Sequence, residues 1–119
     1  MKKYEKISTW LSGNAGEYAV ASELSRRGMI ASITNKNAQG IDILVSDLEA
    51  KNTYAVQVKT NQSSEKSWML TDKSEKLSSK NFVYIFVNLG TESGHPDFHI
   101  VPSAVVAKQI SSEHQAWLR

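Results

Sequence analysis

The chain has 119 residues, 40% hydrophobic and 22% charged, with a net charge of +2 and no cysteine. This balance excludes a disordered chain, a disulfide scaffold and a thiolate zinc site, and the length suits a single domain over residues 1–119. No apolar run approaches the ~20 residues that span a bilayer, and the basic start Met1-Lys2-Lys3 has no apolar stretch behind it, so a cytoplasmic protein with no membrane partner is expected.

The elements read in order as helix, three strands, a polar connection, two strands and a final helix. Residues 12–27 read as a helix, with Ala15, Ala19, Val20 and Leu24 on one apolar face. Asn14 and Glu17 have capping-box spacing, so the helix can start at Asn14; a start near Ser8 fits equally well. Arg26-Arg27 followed by Gly28 marks its end, with cations at the negative end of the dipole and glycine at C′. Strands are expected over 29–34, 41–45 and 54–59, with a loop at 35–40 and a turn at 47–52. In the third strand, Tyr54, Val56 and Val58 share one face, and Ala55, Gln57 and Lys59 the other. Residues 60–67 read as a loop, Trp68-Met69-Leu70 as an apolar island and 72–79 as a short helical piece. Residues 82–89 form the most apolar segment and read as a central strand. A turn at 90–96, a strand at 98–101 and a helix opened by Pro102-Ser103 complete the chain, Val105, Val106, Ile110 and Trp117 forming the helix's buried side.

The chemistry concentrates in Gly40-Ile41-Asp42-Ile43-Leu44-Val45 and Tyr54-Ala55-Val56-Gln57-Val58-Lys59. In each, an ionisable residue interrupts an otherwise buried strand, which is costly unless the charge is paired or binds a metal. Gln57 and Lys59 point to one face, and Asp42 reaches the same spot if the two strands form a hairpin. The Asp42 carboxylate, the Gln57 amide oxygen and the Val58 backbone carbonyl would then make a hard-oxygen set suited to Mg²⁺, with Lys59 placed to handle an attacking water or a phosphate charge.

An aspartate on one strand followed by a carboxylate or amide, any residue and a lysine on the next resembles the PD-(D/E)XK nucleases. The Gln57-Val58-Lys59 form is similar to the variant in Mrr-type restriction enzymes. The stretch Gly13-Asn14-Ala15-Gly16-Glu17, with Val20 and Leu24, resembles the first core helix as found in archaeal Holliday junction resolvases. The resemblance covers roughly residues 13 to 101. It implies an α/β fold with a restriction-endonuclease-like α-β-β-β-α-β core, a central mixed sheet flanked by helices. It further implies a Mg²⁺ cofactor, with Mn²⁺ as a substitute, a nucleic-acid substrate (DNA) and a homodimer or partner protein. Asp42 is implied as metal ligand and catalytic group, Gln57 and the Val58 carbonyl as further ligands, Lys59 as the catalytic lysine and Glu17 as a helix carboxylate joining the site. From Trp68 to Trp117 the chain also looks like small bacterial proteins of this superfamily with no settled activity. Two departures stand out. Ile41 replaces the motif's proline, which is not a ligand; Gln57 replaces the usual carboxylate, which removes one negative charge and weakens Mg²⁺ binding.

Plainer roles compete at each position. Asp42 and Lys59 can form a structural ion pair, Gln57 can be a satisfied buried amide, and Glu17 can close the capping box. His95, His99 and His114 match no zinc spacing and read as loop or surface residues. Trp10, Trp68 and Trp117 read as core or interface residues before base-stacking ones, and Ser12 and Ser103 as capping or turn residues. Lys66, Lys73, Lys76 and Lys80 alternate with Glu65, Asp72 and Glu75, a pattern of a solvated face. Three expectations follow: a Mg²⁺-dependent DNA phosphodiesterase, a nuclease-derived binding module without catalysis, and an interaction subunit using Trp68 or Trp117.

Overall fold

The computed structural model describes residues 6–35, 40–63 and 80–103. Helix α1 (Thr9–Arg26) contains Gly13 and Gly16, so intrinsic propensity does little to form it. Its ends are well closed instead. Ser8 is the N-cap, its Oγ accepting from the Leu11 N–H at 3.2 Å. At the other end Gly28 takes φ 88°, its N–H donates to the Ser25 carbonyl at 3.0 Å, and the Met29 N–H donates to the Leu24 carbonyl at 3.1 Å. This is a Schellman closure, with Met29 and Leu24 both packed on the core.

Of the two starts expected for this helix, the one near Ser8 is found. Asn14 lies inside the helix, so Glu17 closes no capping box. Ser12 is not a cap either: it is buried within α1 and its hydroxyl donates to the Thr9 carbonyl at 3.0 Å.

The strands are β1 (Ile30–Ile33), β2 (Ile43–Ser46), β3 (Thr53–Asn61), β4 (Phe82–Asn88) and β5 (Asp97–Pro102). They form one five-stranded mixed sheet in the order β1-β2-β3-β4-β5, so the described part of the chain is α/β. The first three strands form an antiparallel meander, β4 lies parallel to β3, and β5 is antiparallel to β4. A parallel pair needs a crossover of about a dozen residues or more, and residues 62–81 connect these two strands. The short helical piece expected at 72–79, the Trp68 island and all of the final helix beyond Ser103 lie outside the described residues.

Several boundaries differ from those expected. β2 begins at Ile43, which leaves Asp42 just ahead of the strand. β3 runs on through Thr60 and Asn61, where a loop was expected, because β4 pairs with it as far as Asn61↔Asn88. β5 extends to Pro102, where an edge position tolerates the missing N–H, and Ser103 directly after it is helical, as expected of a helix opened by Pro102-Ser103.

Val20 on α1 packs with Ile43, Val45, Val56, Ile85 and Val87 to form the main core, and Val58 joins it. Helix α1 therefore covers the face bearing Val56 and Val58. The opposite face carries Phe82, Tyr84 and Phe86, a second buried cluster in which Tyr84 stacks on Phe82 at 5.4 Å and on Phe86 at 6.0 Å between ring centroids. Trp10, expected inside or at an interface, is not a core residue: it is 71% exposed on the outer side of α1. No described helix is long and apolar enough to cross a membrane.

Candidate functional site

Asp42 sits where β2 leaves β3. The β2–β3 register pairs Ile43 with Val56, so one further step would set Asp42 opposite Gln57. The ladder does not continue regularly. The Asp42 N–H donates to the Val56 carbonyl at 2.8 Å, one residue out of register, and the Asp42 Oδ2 accepts from the Val58 N–H at 2.7 Å. A side-chain carboxylate thus replaces a strand carbonyl as the partner of β3. The other side of Asp42 is held by the residue just after β1: the Thr34 N–H donates to the Asp42 carbonyl at 2.9 Å, and the Thr34 hydroxyl donates to the Ile41 carbonyl at 2.6 Å. Gly40, at φ 72°, turns the chain into this position with a left-handed backbone that suits glycine.

The N–H and C=O of one extended residue point to the same edge of the strand. Since the Val58 N–H meets Asp42, the Val58 carbonyl also points to the edge that β2 has vacated. Gln57 and Lys59 alternate with Val56 and Val58 and lie on the face away from α1, where Gln57 pairs with Tyr84 and Lys59 with Phe86. Tyr84 in turn pairs with Val101. One row across the sheet therefore reads Gln57, Tyr84, Val101, and the next reads Lys59, Phe86, His99.

Two polar atoms in the first row are buried without a hydrogen-bond partner, Gln57 Oε1 and Tyr84 Oη. The Gln57 amide oxygen thus meets no donor from the protein. A third such atom, Thr60 Oγ1, lies on the other face, directly beneath Gly16. The structural ion pair expected as an alternative for Asp42 and Lys59 is not formed. Ion pairs among the described residues join Glu23 to Arg26 and Arg27, and Glu49 to Lys51.

Asp42, Gln57, Val58 and Lys59 are therefore gathered at one end of the β2–β3 pair. Glu17 is half-buried on α1, in the layer over the opposite face, so the sheet lies between its helix and the side chains of Gln57 and Lys59. Among the described residues, no three His, Asp or Glu side chains converge as a metal cluster. An oxygen set of Asp42, the Gln57 amide and the Val58 carbonyl is of a different kind, and the unpartnered Gln57 Oε1 fits a ligand to a hard cation. His95 and His99 are exposed, as expected of loop or surface residues, while His114, Trp68 and Trp117 lie outside the described residues. A groove between α1 and the β4–β5 connection, lined by Ser22, Glu23, Arg26, His95 and Phe98, contains none of the expected site residues.

Tyr84 escaped the sequence reading. Its signal was nevertheless of the kind that singled out Asp42, a polar tip inside the apolar run Phe82-Val83-Tyr84-Ile85-Phe86-Val87. Comparison with protein-family models, with curated proteins and with solved structures gives no match to this chain.

Proposed function

We propose that the chain is a metal-dependent phosphodiesterase of the PD-(D/E)XK kind acting on DNA. The observation that carries this reading is the placement of Asp42: held at the end of β2, it lies at the β3 edge to which the Val58 carbonyl points, next to Gln57 and Lys59. The order of elements also supports it. A helix, an antiparallel three-stranded meander and a parallel fourth strand suit a restriction-endonuclease-like core.

Asp42, Gln57 Oε1 and the Val58 carbonyl are the residues that would hold Mg²⁺ or Mn²⁺. The ion would supply Lewis-acid polarisation of a phosphoryl oxygen and a more acidic water. Asp42 would contribute the carboxylate oxygen not engaged by Val58. Lys59, half-buried on the Gln57 face, orients the attacking water and offsets the charge that develops on the phosphate. Glu17 has the least support as a ligand, because α1 covers the face opposite to the one bearing the side chains of Gln57 and Lys59. A second copy or a partner protein would be needed to enclose a duplex.

The test is cleavage of a DNA panel (single-stranded, duplex, nicked, flapped and four-way) with Mn²⁺. Wild type should cut at least one substrate, and Asp42→Asn and Lys59→Ala should each lower the rate by about 10²–10⁴-fold. Folded wild-type protein that cuts no substrate and gains no thermal stability from Mn²⁺ would rule the reading out. The amide at position 57 and the engagement of one Asp42 oxygen by Val58 favour a second reading, a DNA-binding module without catalysis. That module would retard DNA in a gel while cutting none of it.

A further inference from the structure

Tyr84 is wholly buried, yet its hydroxyl has no partner. Gln57 stands opposite it in the β3–β4 register, and the Gln57 amide oxygen is likewise buried and unpartnered. The two side chains rise from adjacent strands on the same face, with the Tyr84 ring fixed between those of Phe82 and Phe86. A buried polar atom without a partner is uncommon, because it has lost its hydrogen bond to water and gained none in return. Two such atoms on neighbouring positions of one row call for a common partner. One is an acceptor only; the other can donate or accept. A single water molecule meets both needs, donating one hydrogen to Gln57 Oε1 and using its other hydrogen or a lone pair at Tyr84 Oη.

We propose that Gln57 and Tyr84 form one buried polar site around a shared water, and that through it Tyr84 is a positioning residue for the Gln57 amide. The claim about Gln57 as a ligand rests on the nuclease reading; the shared site does not. The arrangement also accounts for an amide at position 57. A carboxylate there would lie between the Asp42 carboxylate and the aromatic column of β4, where like charge and burial both oppose ionisation. The neutral amide offers a ligand oxygen without that conflict.

The experiment is a double-mutant cycle with Tyr84→Phe, which removes only the hydroxyl, and Gln57→Met, which keeps the side chain's length. Stability is read from urea unfolding without divalent ions, and folding of each variant is checked by circular dichroism. A shared site predicts strong coupling: once one partner is gone, removing the other changes little, and the double variant matches the less stable single variant. Additive effects would overturn the proposal. Mn²⁺ affinity, followed by calorimetry, then separates the two ideas. If Gln57 is a ligand that Tyr84 positions, Tyr84→Phe weakens Mn²⁺ binding by about tenfold, as loss of an outer-shell partner does, and Asp42→Asn abolishes it. Coupling in a protein that binds no Mn²⁺ would keep the shared site and discard the nuclease reading. Mn²⁺ binding with additive effects would do the reverse.

Discussion

The Asp42 carboxylate commits one oxygen to the Val58 N–H and keeps the other for whatever approaches the open edge of β3. The first role is structural and can be separated from the second. Asp42→Ala leaves the Val58 N–H without its partner in a half-buried setting and should cost about 1–3 kcal/mol. Asp42→Asn keeps an acceptor in place and should cost under about 1 kcal/mol, while it removes the charge a cation would need. Urea unfolding of both variants checks this. Equal stability of Asp42→Ala and wild type would mean that the carboxylate does not hold β3. For this reason the asparagine variant is the better probe of chemistry.

The turn from β2 to β3 is organised by another aspartate. Asp47 Oδ1 accepts from the N–H groups of Glu49 at 3.1 Å and Lys51 at 2.9 Å. Its Oδ2 accepts from the Asn52 N–H and side-chain amide, both at 3.0 Å. The turn also requires Ala50 at φ 58°, a left-handed conformation that alanine adopts at some cost. The Lys51 N–H, foremost among these donors, favours the ionised form and holds the Asp47 carboxyl below its ordinary range, against a smaller opposing effect of desolvation. A lowered folded-state value means that the unfolded chain binds the proton first as pH falls. The stability Asp47 contributes is therefore full above the ordinary aspartate range and is lost as pH drops through the lowered value. Asp47→Ala should accordingly lower Tm at pH 7, and the gap to wild type should close in acid. Thermal melts of both proteins at several pH values test this, and a gap that stays constant into acid would show that the carboxylate's charge plays no part in the turn.

The spacing between helix and sheet depends on Gly16. A Cβ there would run into the Thr60 side chain, so α1 approaches β3 only because position 16 has none. Gly16→Ala gains about 1 kcal/mol of helix propensity but incurs about 1–3 kcal/mol of overpacking, for a net loss of about 1 kcal/mol. In a Thr60→Ala background the clash disappears and the same substitution should stabilise the protein. A loss of equal size in both backgrounds, measured by urea unfolding, would place the cost of Gly16→Ala somewhere other than Thr60. The same close approach brings the layer carrying Glu17 over the end of β3. A strand continuing to Asn61, paired with β4 throughout, gives that layer something to rest on.

Much of this architecture is legible in the chain itself, because the relevant signals are local. Alternation along residues 54–59 assigned Val56 and Val58 to one face and Gln57 and Lys59 to the other, and Arg26-Arg27-Gly28 marked the helix end where a Schellman closure forms. Asp42 and Lys59 stood out because each interrupts an apolar strand. Other features depend on contacts between distant segments. Ser8 and Asn14 both offered plausible helix starts, and the choice of Ser8 goes with the burial of Ser12 and Gly16 against the sheet. Trp10 is as apolar as Val20, yet only the second faces the strands. The pairing of Gln57 with Tyr84 arises from a parallel register across a long connection, which no local pattern encodes. Side-chain periodicity therefore determined which residues share a face. Only the packing of distant segments decided which of them meet, because that depends on strand register and on how closely the helix can approach the sheet.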